Sequence, residues 1–402
     1  MQILLTIITV ISALFGAYHA AASLLGLLRR KADYPAAPAR RRIAAVIAAR
    51  NEEAVIAPLI QSLNGQNYPR ELYDIYVIPN NCTDGTESAA RNAGAKIIPC
   101  TQPVSSKGDA LRCAFAYLTS LENRYDAYCI FDADNLADEN FFQAVNDARE
   151  AGVRIAQGYR DSKNPFDNWI SGSMSAFYWF MSRFYNASRA ALGMSAALNG
   201  TGFMVSDDLI REMGWETVTL TEDLEFTALC SLKNVKIGWM PRARIYDEQP
   251  VTLRDSVCQR RRWSAGTLQC LKRYGLKLFS RGSISAFDIG MVFAGMLMNL
   301  FGGAAGLLTA YLLVRQIMNS PESAPSVLIG VLLGSVISSL GMSAGCLAIF
   351  ALEKKLTRRA VPAILLFGLF MLTWFPINLA CFFTRPPRWD AIRHTCSHAA
   401  PM

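Results

Sequence analysis

Asp132-Ala133-Asp134 stands directly after the apolar run 128–131. Two carboxylates one residue apart at the end of a strand present hard oxygens to Mg²⁺ or Mn²⁺ carrying a diphosphate. Read alone the pattern is weak, because a solvated loop carries such a pair as readily. Thr221-Glu222-Asp223 lies between Leu220 and Leu224 where a helix begins, with Thr221 in the N-cap position. Acids there either complement the helix dipole or supply a carboxylate that takes a proton from an attacking hydroxyl. In Gln259-Arg260-Arg261-Arg262-Trp263 three arginines precede a tryptophan. That is either a basic helix lying on lipid head groups or a site where Gln259 and Arg262 hold a pyrophosphate leaving group and Trp263 offers its face to a sugar ring.

These groups need a scaffold, and the pattern between residues 43 and 131 supplies one. Strand-like runs at 43–48, 72–78, 96–98 and 128–131 alternate with helical stretches, among them 86–92 and 108–121. Apolar strands alternating with helices predict an α/β domain with a parallel sheet and right-handed crossovers. Ligands of such sheets bind beyond the carboxyl ends of the strands, where Arg50 to Glu53, Asn80 to Gly85 and Asp132 follow three of them. No GxGxxG follows the first strand, which argues against a dinucleotide site. Between Asp134 and Thr221 lies an aromatic stretch from Phe166 to Tyr185, then Asn199-Gly200-Thr201-Gly202. The stretch reads as a helix packing its rings into the core, or as an acceptor path lined by some of them.

Of the 402 residues 52% are hydrophobic, which is high for a soluble protein, and mean hydropathy is positive. The excess sits at the two ends. Residues 2–28 are about as long as the roughly 20 residues that cross a bilayer, lack a basic leader and precede a basic cluster. Further spans are expected at 289–314, 327–352 and 361–383, with Pro362 and Pro376 marking the last as re-entrant, interfacial or doubled. The organisation expected is a membrane anchor at 1–28, a cytoplasmic catalytic domain at 40–280, a membrane bundle at 286–384 and a tail at 385–402. The net charge of +8 is carried by clusters beside the spans, Arg29 to Lys31, Arg40 to Arg42 and Lys354 to Arg359, with Arg385, Arg388 and Arg393 in the tail. That is the positive-inside pattern rather than a nucleic-acid face, and it puts residues 29 onward in the cytoplasm. The ten cysteines show no CxxC pair and the three histidines are scattered, so neither type implies a metal site.

The ordered set resembles the processive family 2 glycosyltransferases, the group of cellulose, chitin, hyaluronan and poly-N-acetylglucosamine synthases. Their early Asn-Glu, Cys/Ser-Thr-Asp-Gly-Thr turn, Lys-Gly-x-Ala-Leu, DxD, Thr-Glu-Asp and Gln-x-x-Arg-Trp stand here as Asn51-Glu52, Cys82 to Thr86, Lys107 to Leu111, Asp132 to Asp134, Thr221 to Asp223, and Gln259 with Arg262-Trp263. The resemblance implies a GT-A type nucleotide-sugar-binding domain with a mostly parallel sheet. It places Asn51, Glu52, Asn80, Lys107, Asp132, Gln259 and Arg262 at the donor and a Mg²⁺ or Mn²⁺ ion at Asp132 and Asp134. Asp223 is implied as the general base, with Glu222 and Trp263 at the acceptor. Where the group has an aspartate, this chain has Asn80; an amide still accepts a hydrogen bond but adds no charge, which bears on uridine specificity.

The implied activity is inverting transfer of a hexose or N-acetylhexosamine from a UDP-sugar to a polysaccharide or glycan acceptor at the cell membrane. Its alternatives are a single addition to a lipid-linked acceptor and, in another class, a non-catalytic membrane scaffold.

Overall fold

A computed structural model describes residues 2–29, 33–100, 104–122 and 124–384. Arg30, Lys31 and the basic tail 385–402 lie outside the described residues.

Helix α1 (Gln2–Leu28) leads to the sheet. Strand β1 (Ile43–Ala49) is apolar throughout and buried on both faces, which makes it central. After α2 (Ile56–Asn64), β2 (Tyr73–Pro79) pairs parallel with β1. After α3 (Thr86–Asn92), β3 (Lys96–Ile97) pairs parallel with β2. Helix α4 (Lys107–Ser120) returns the chain to β4 (Ala127–Asp132), parallel to β1 on its other side. Then follow β5 (Leu136–Ala137), α5 (Phe141–Glu150), β6 (Ile155–Ser162), α6 (Trp169–Phe180), α7 (Ala187–Ala191), β7 (Phe203–Ser206), α8 (Asp207–Met213), α9 (Glu222–Leu232) and β8 (Gly238–Asp247). The order across the sheet is β3-β2-β1-β4-β7-β6-β8-β5.

The expected parallel arrangement covers the first half of this sheet, and the second half is mixed. β7 runs antiparallel to β4 and β6, while β8 runs parallel to β6. Reversing β7 has a use: Phe203 pairs with Ile130, so the Gly-rich turn before β7 lies at the carboxyl end of β4. The carboxyl ends of β1, β4, β6 and β8 share that edge.

Side chains of β1 alternate between two cores, Ala44, Val46 and Ala48 on one side and Ile43, Ala45 and Ile47 on the other. The first core continues through Trp179 to Ile349, Phe350 and Phe367 of the C-terminal helices, so domain and bundle share packed interior.

Helix α10 (Leu253–Ser280) connects the sheet to α11 (Ile284–Asn319), α12 (Ala324–Leu352), α13 (Val361–Leu372) and α14 (Trp374–Phe383). Among the described residues four segments, Gln2–Leu28, Ile284–Asn319, Pro321–Leu352 and Arg358–Phe383, are long and apolar enough to cross a membrane. They differ in how they are used. The buried residues of α11 all lie between Ala286 and Met296, and the remaining 297–319 is about 34 Å long, a match to the ~30 Å hydrocarbon layer. The last segment instead carries an interruption at Thr373, where Pro376 lacks the N–H that would bond back to the preceding turn, between helices of about 18 Å and 15 Å. Arg260 of α10 caps the break, donating to Thr373 Oγ1 (2.6 Å) and lying over the Phe370 ring (4.3 Å). Ser264 donates to Asn378, and Cys381 bonds the Arg261 carbonyl, which keeps α14 against α10 on the catalytic side.

At the other end Arg189 and Asp288 form a fully buried ion pair joined by Tyr18, His19 and Tyr185, so α1, α7 and α11 meet on one polar knot. Glu353 with Arg183 and Lys355 with Asp161 tie the α12–α13 connection to the domain. Lys355 thus serves packing as well as the membrane-side charge expected of it.

Candidate functional site

Lys107 opens α4 and is buried beneath the sheet edge. Its Nζ meets Asp132 Oδ1 at 2.5 Å and the Gly200 carbonyl at 2.6 Å, and stands 3.8 Å from Glu222 Oε1. Burial alone would raise the Asp132 carboxyl; Lys107, with Arg160 and Arg262 behind it, outweighs this and holds it below the usual range. Asp134 is buried beside it and accepts from Asn135.

Glu222 and Asp223 form the first turn of α9. Thr221 occupies the N-cap position without a side-chain capping bond; Glu225 instead accepts from the backbone N–H groups of Val218 and Thr219 and shapes the incoming loop. Burial pushes Glu222 up to about 7, partly offset by Lys107 and reinforced by Asp223. Burial also raises Asp223 above the usual carboxylate range, against the pull of Lys107 and Arg160. Asp223 lies beside Gly200, whose φ of +83° and closeness to Asp223 Oδ2 suit glycine there.

Taken as the base that the resemblance implies, Asp223 must be ionised to work, and its raised pKa then predicts that turnover falls on the acid side at a pH above the ordinary carboxylate value of about 3.9. Glu222, pushed up to about 7, is already protonated across that limb, so Glu222→Gln exchanges one neutral group for another and is expected to leave the limb in place. A pH–rate profile of both proteins checks this.

Helix α10 crosses this segment at Gly266, where an added Cβ would lie 2.5 Å from Thr221 Oγ1 and 2.8 Å from its backbone nitrogen. Gly266→Ala must therefore push Thr221 and the acids after it. Turnover is expected to drop by up to about 100-fold with donor KM little changed, since misplacement of about 1 Å can cost that much.

The α10 motif divides by helical spacing. Gln259, Arg262 and Trp263, three and four residues apart, face the cavity, whereas Arg260 points away into the α13 break. Arg260 has no role toward a diphosphate; burial lowers its pKa to about 10, and the α13 carboxyl end and aromatic faces hold the charge.

A cavity of about 530 Å³ gathers Glu52, Lys107, Asp132, Asp134, Glu222 and Asp223 with Gln259, Arg262 and Trp263. Asn51 and Asn80 are not in its lining. Asn51 adopts φ +58° and accepts from the Thr83 N–H at 2.8 Å, fixing the turn after β2. Asn80 is buried with both amide atoms unpartnered.

The sequence reading passed over Arg160 and found no role for Asp247. Arg160, near the end of β6, pairs with Asp247 at the end of β8, donates to the Asn199 carbonyl (2.7 Å) and lies over the Tyr178 ring (3.9 Å). Asn135 and Gln249 complete the shell of Asp247. The available signals were the polar end of β6, Arg160-Asp161-Ser162-Lys163-Asn164, of the same kind as those after β1, β2 and β4, and Tyr246-Asp247-Glu248, which resembles a segment recurrent in the family. Also unforeseen are the contributions of Met296 and Asn299 from α11 and of Trp374 and Asn378 from α14.

Paired carboxylates, a buried lysine and a helix-borne acid gathered at the carboxyl edge of this mixed sheet are the arrangement of a GT-A-like glycosyltransferase fold. The chain belongs to the family described as glycosyltransferase like family 2, whose profile matches residues 38–266. It is 24% identical over 59% of its length to the probable glycosyltransferase YdaM of Bacillus subtilis (strain 168). It is 28% identical over 75% of its length to the beta-monoglucosyldiacylglycerol synthase of Nostoc sp. (strain PCC 7120 / SAG 25.82 / UTEX 2576). The chain spans 58% and 64% of the lengths of these two relatives. Among solved structures, the mannosyltransferase PcManGT from Pyrobaculum calidifontis, in complex with GDP-Man and Mn²⁺, superposes with a TM-score of 0.58 at 18% identity. The match covers 91% of this chain and 99% of that one, and it shows the shared fold.

Proposed function

We propose that the protein moves one hexosyl or N-acetylhexosaminyl group from a nucleotide diphosphate sugar, a UDP-sugar first, to a hydroxyl of a membrane lipid, with inversion. The observation that carries this is the continuity of one cavity from Asp223 to α11 and α14, at the level where α11 leaves the domain for the bilayer. The name of the Nostoc relative, a synthase of a glucosylated diacylglycerol, supports the same reading. The basic cluster after α1 supports a cytoplasmic catalytic domain.

Asp223 takes the proton of the acceptor hydroxyl. Its oxygen bonds to the anomeric carbon from the face opposite the diphosphate, and the bond to the diphosphate oxygen breaks with its electron pair leaving on that oxygen. Arg262 and Gln259 steady the departing group, and Lys107 keeps Asp132 ionised. Asp132 and Asp134 would hold a Mg²⁺ or Mn²⁺ ion: two adjacent hard-oxygen donors in a cavity open to the diphosphate fit such an ion, which when bound supplies charge neutralisation. The amide of Asn80, buried and unpartnered at the end of β2, offers both a donor and an acceptor, and a nucleobase is the ligand that the resemblance gives it.

A second reading, processive β-glycan synthesis, is favoured by the Gln259–Trp263 motif. Against it, the Phe375 ring packs directly on Gly303, closing α11 onto α14 beyond the cavity. Incubating detergent-purified protein with UDP-sugars and GDP-mannose, Mg²⁺ or Mn²⁺, and membrane lipids, then sizing products, tests the proposal. One added sugar on a lipid is expected; a ladder of lengths points to the synthase, and no release of nucleotide diphosphate to a scaffold.

A further inference from the structure

The membrane end of the cavity differs chemically from its donor end. Every charged residue in the lining comes from the catalytic domain, whereas α11, α13 and α14 contribute Val292, Met296, Met371 and Trp374 with two amides, Asn299 and Asn378. Amides inside otherwise apolar membrane helices are costly unless bonded, and they mark sites of use. Here they form a directed chain. Ser264 Oγ donates to Asn378 Oδ1 at 2.6 Å, and Asn378 Nδ2 donates to Asn299 Oδ1 at 2.9 Å. The chain therefore ends on the Nδ2 of Asn299, which donates to no side chain among the described residues. An oxygen that accepts would complete it.

We propose that this chain reads the polar neck of an uncharged acyl-ester lipid alcohol, with the ester carbonyl on Asn299, the apolar tails against Met296 and Trp374, and the free hydroxyl toward Asp223. The assignment rests on the lipid-acceptor reading above and adds the acceptor's class. A lipid phosphate is disfavoured because, among the described residues, α11, α13 and α14 give the lining no cation, and Arg262 of α10 is committed to the donor's diphosphate. The depth agrees, since Asn299 lies just past Met296, the last buried residue of α11, at the level of the ester region of a lipid leaflet.

The test measures binding, apart from turnover. Full-length protein carrying Asp223→Asn, with no sugar donor present, is titrated with dioctanoylglycerol and with dioctanoyl phosphatidic acid, the same tails with a charged head. Dioctanoylglycerol is expected to bind the tighter of the two, and Asn299→Leu, close in volume, to weaken it about tenfold with donor binding kept. Asn299→Ser, which retains a donor, should keep most of the affinity, and it decides the matter if the leucine variant loses donor binding through misfolding. Phosphatidic acid binding as tightly as the neutral lipid, or unchanged affinity in Asn299→Leu, or a serine variant as weak as a folded leucine variant, would overturn the assignment. Bound neutral lipid that the wild-type enzyme never glycosylates would sink the transferase reading while leaving this site standing.

Discussion

Asparagine in place of Asp223 is expected to lower turnover by about 10²–10⁴-fold, the range lost when a positioned general base is removed. Donor binding should change little, because Lys107, Arg262 and the Asp132–Asp134 pair are untouched. The substitution is close in shape, and the carboxylate it removes is disfavoured by burial, so the fold should tolerate it or gain slightly. Turnover with the best donor, beside calorimetric donor binding, gives both numbers. Normal turnover would remove Asp223 from the role, and Glu222, its neighbour at the head of α9, would inherit the question.

Arg160→Met is expected to cost about 3–5 kcal/mol of stability, the usual result of leaving one partner of a buried ion pair alone. Asn135 and Gln249 still bond Asp247, which argues for the lower half of that range. Activity should fall further than stability alone explains, since Arg160 also helps keep Asp132 ionised. Arg160→Met combined with Asp247→Leu removes the stranded charge and should recover much of the lost melting temperature without restoring turnover. Thermal unfolding in detergent separates the effects. A loss under about 1 kcal/mol for the single variant would mean that the pair is solvated in solution.

What could be read without coordinates was whatever depends on neighbours in the chain. The apolar 43–48 run reads as a strand and the runs after it alternate with helices, so the parallel half of the sheet and its ligand-bearing edge followed. Asp132 and Asp134, at one strand end, and Asp223, on the first turn of a helix, were singled out because each has a local signature. The break in the last apolar segment was also foreshadowed by Pro362 and Pro376.

The rest depends on pairs that chain order does not announce. The antiparallel course of β7 is a long-range choice that places the Gly-rich turn against Asp132. Arg160 and Asp247 meet because β6 and β8 lie side by side, 87 residues apart in the chain. Three adjacent arginines look alike in sequence, yet the 100° step of α10 sends Arg262 to the cavity and Arg260 into the cap of α13. Sequence by itself determined which residues could do the chemistry, because reactivity resides in side-chain type and local spacing. Tertiary structure alone decided that Met296 and Asn299 of α11 and Trp374 and Asn378 of α14 line the same cavity as Asp223, because a cavity is a volume left between elements that meet only on folding.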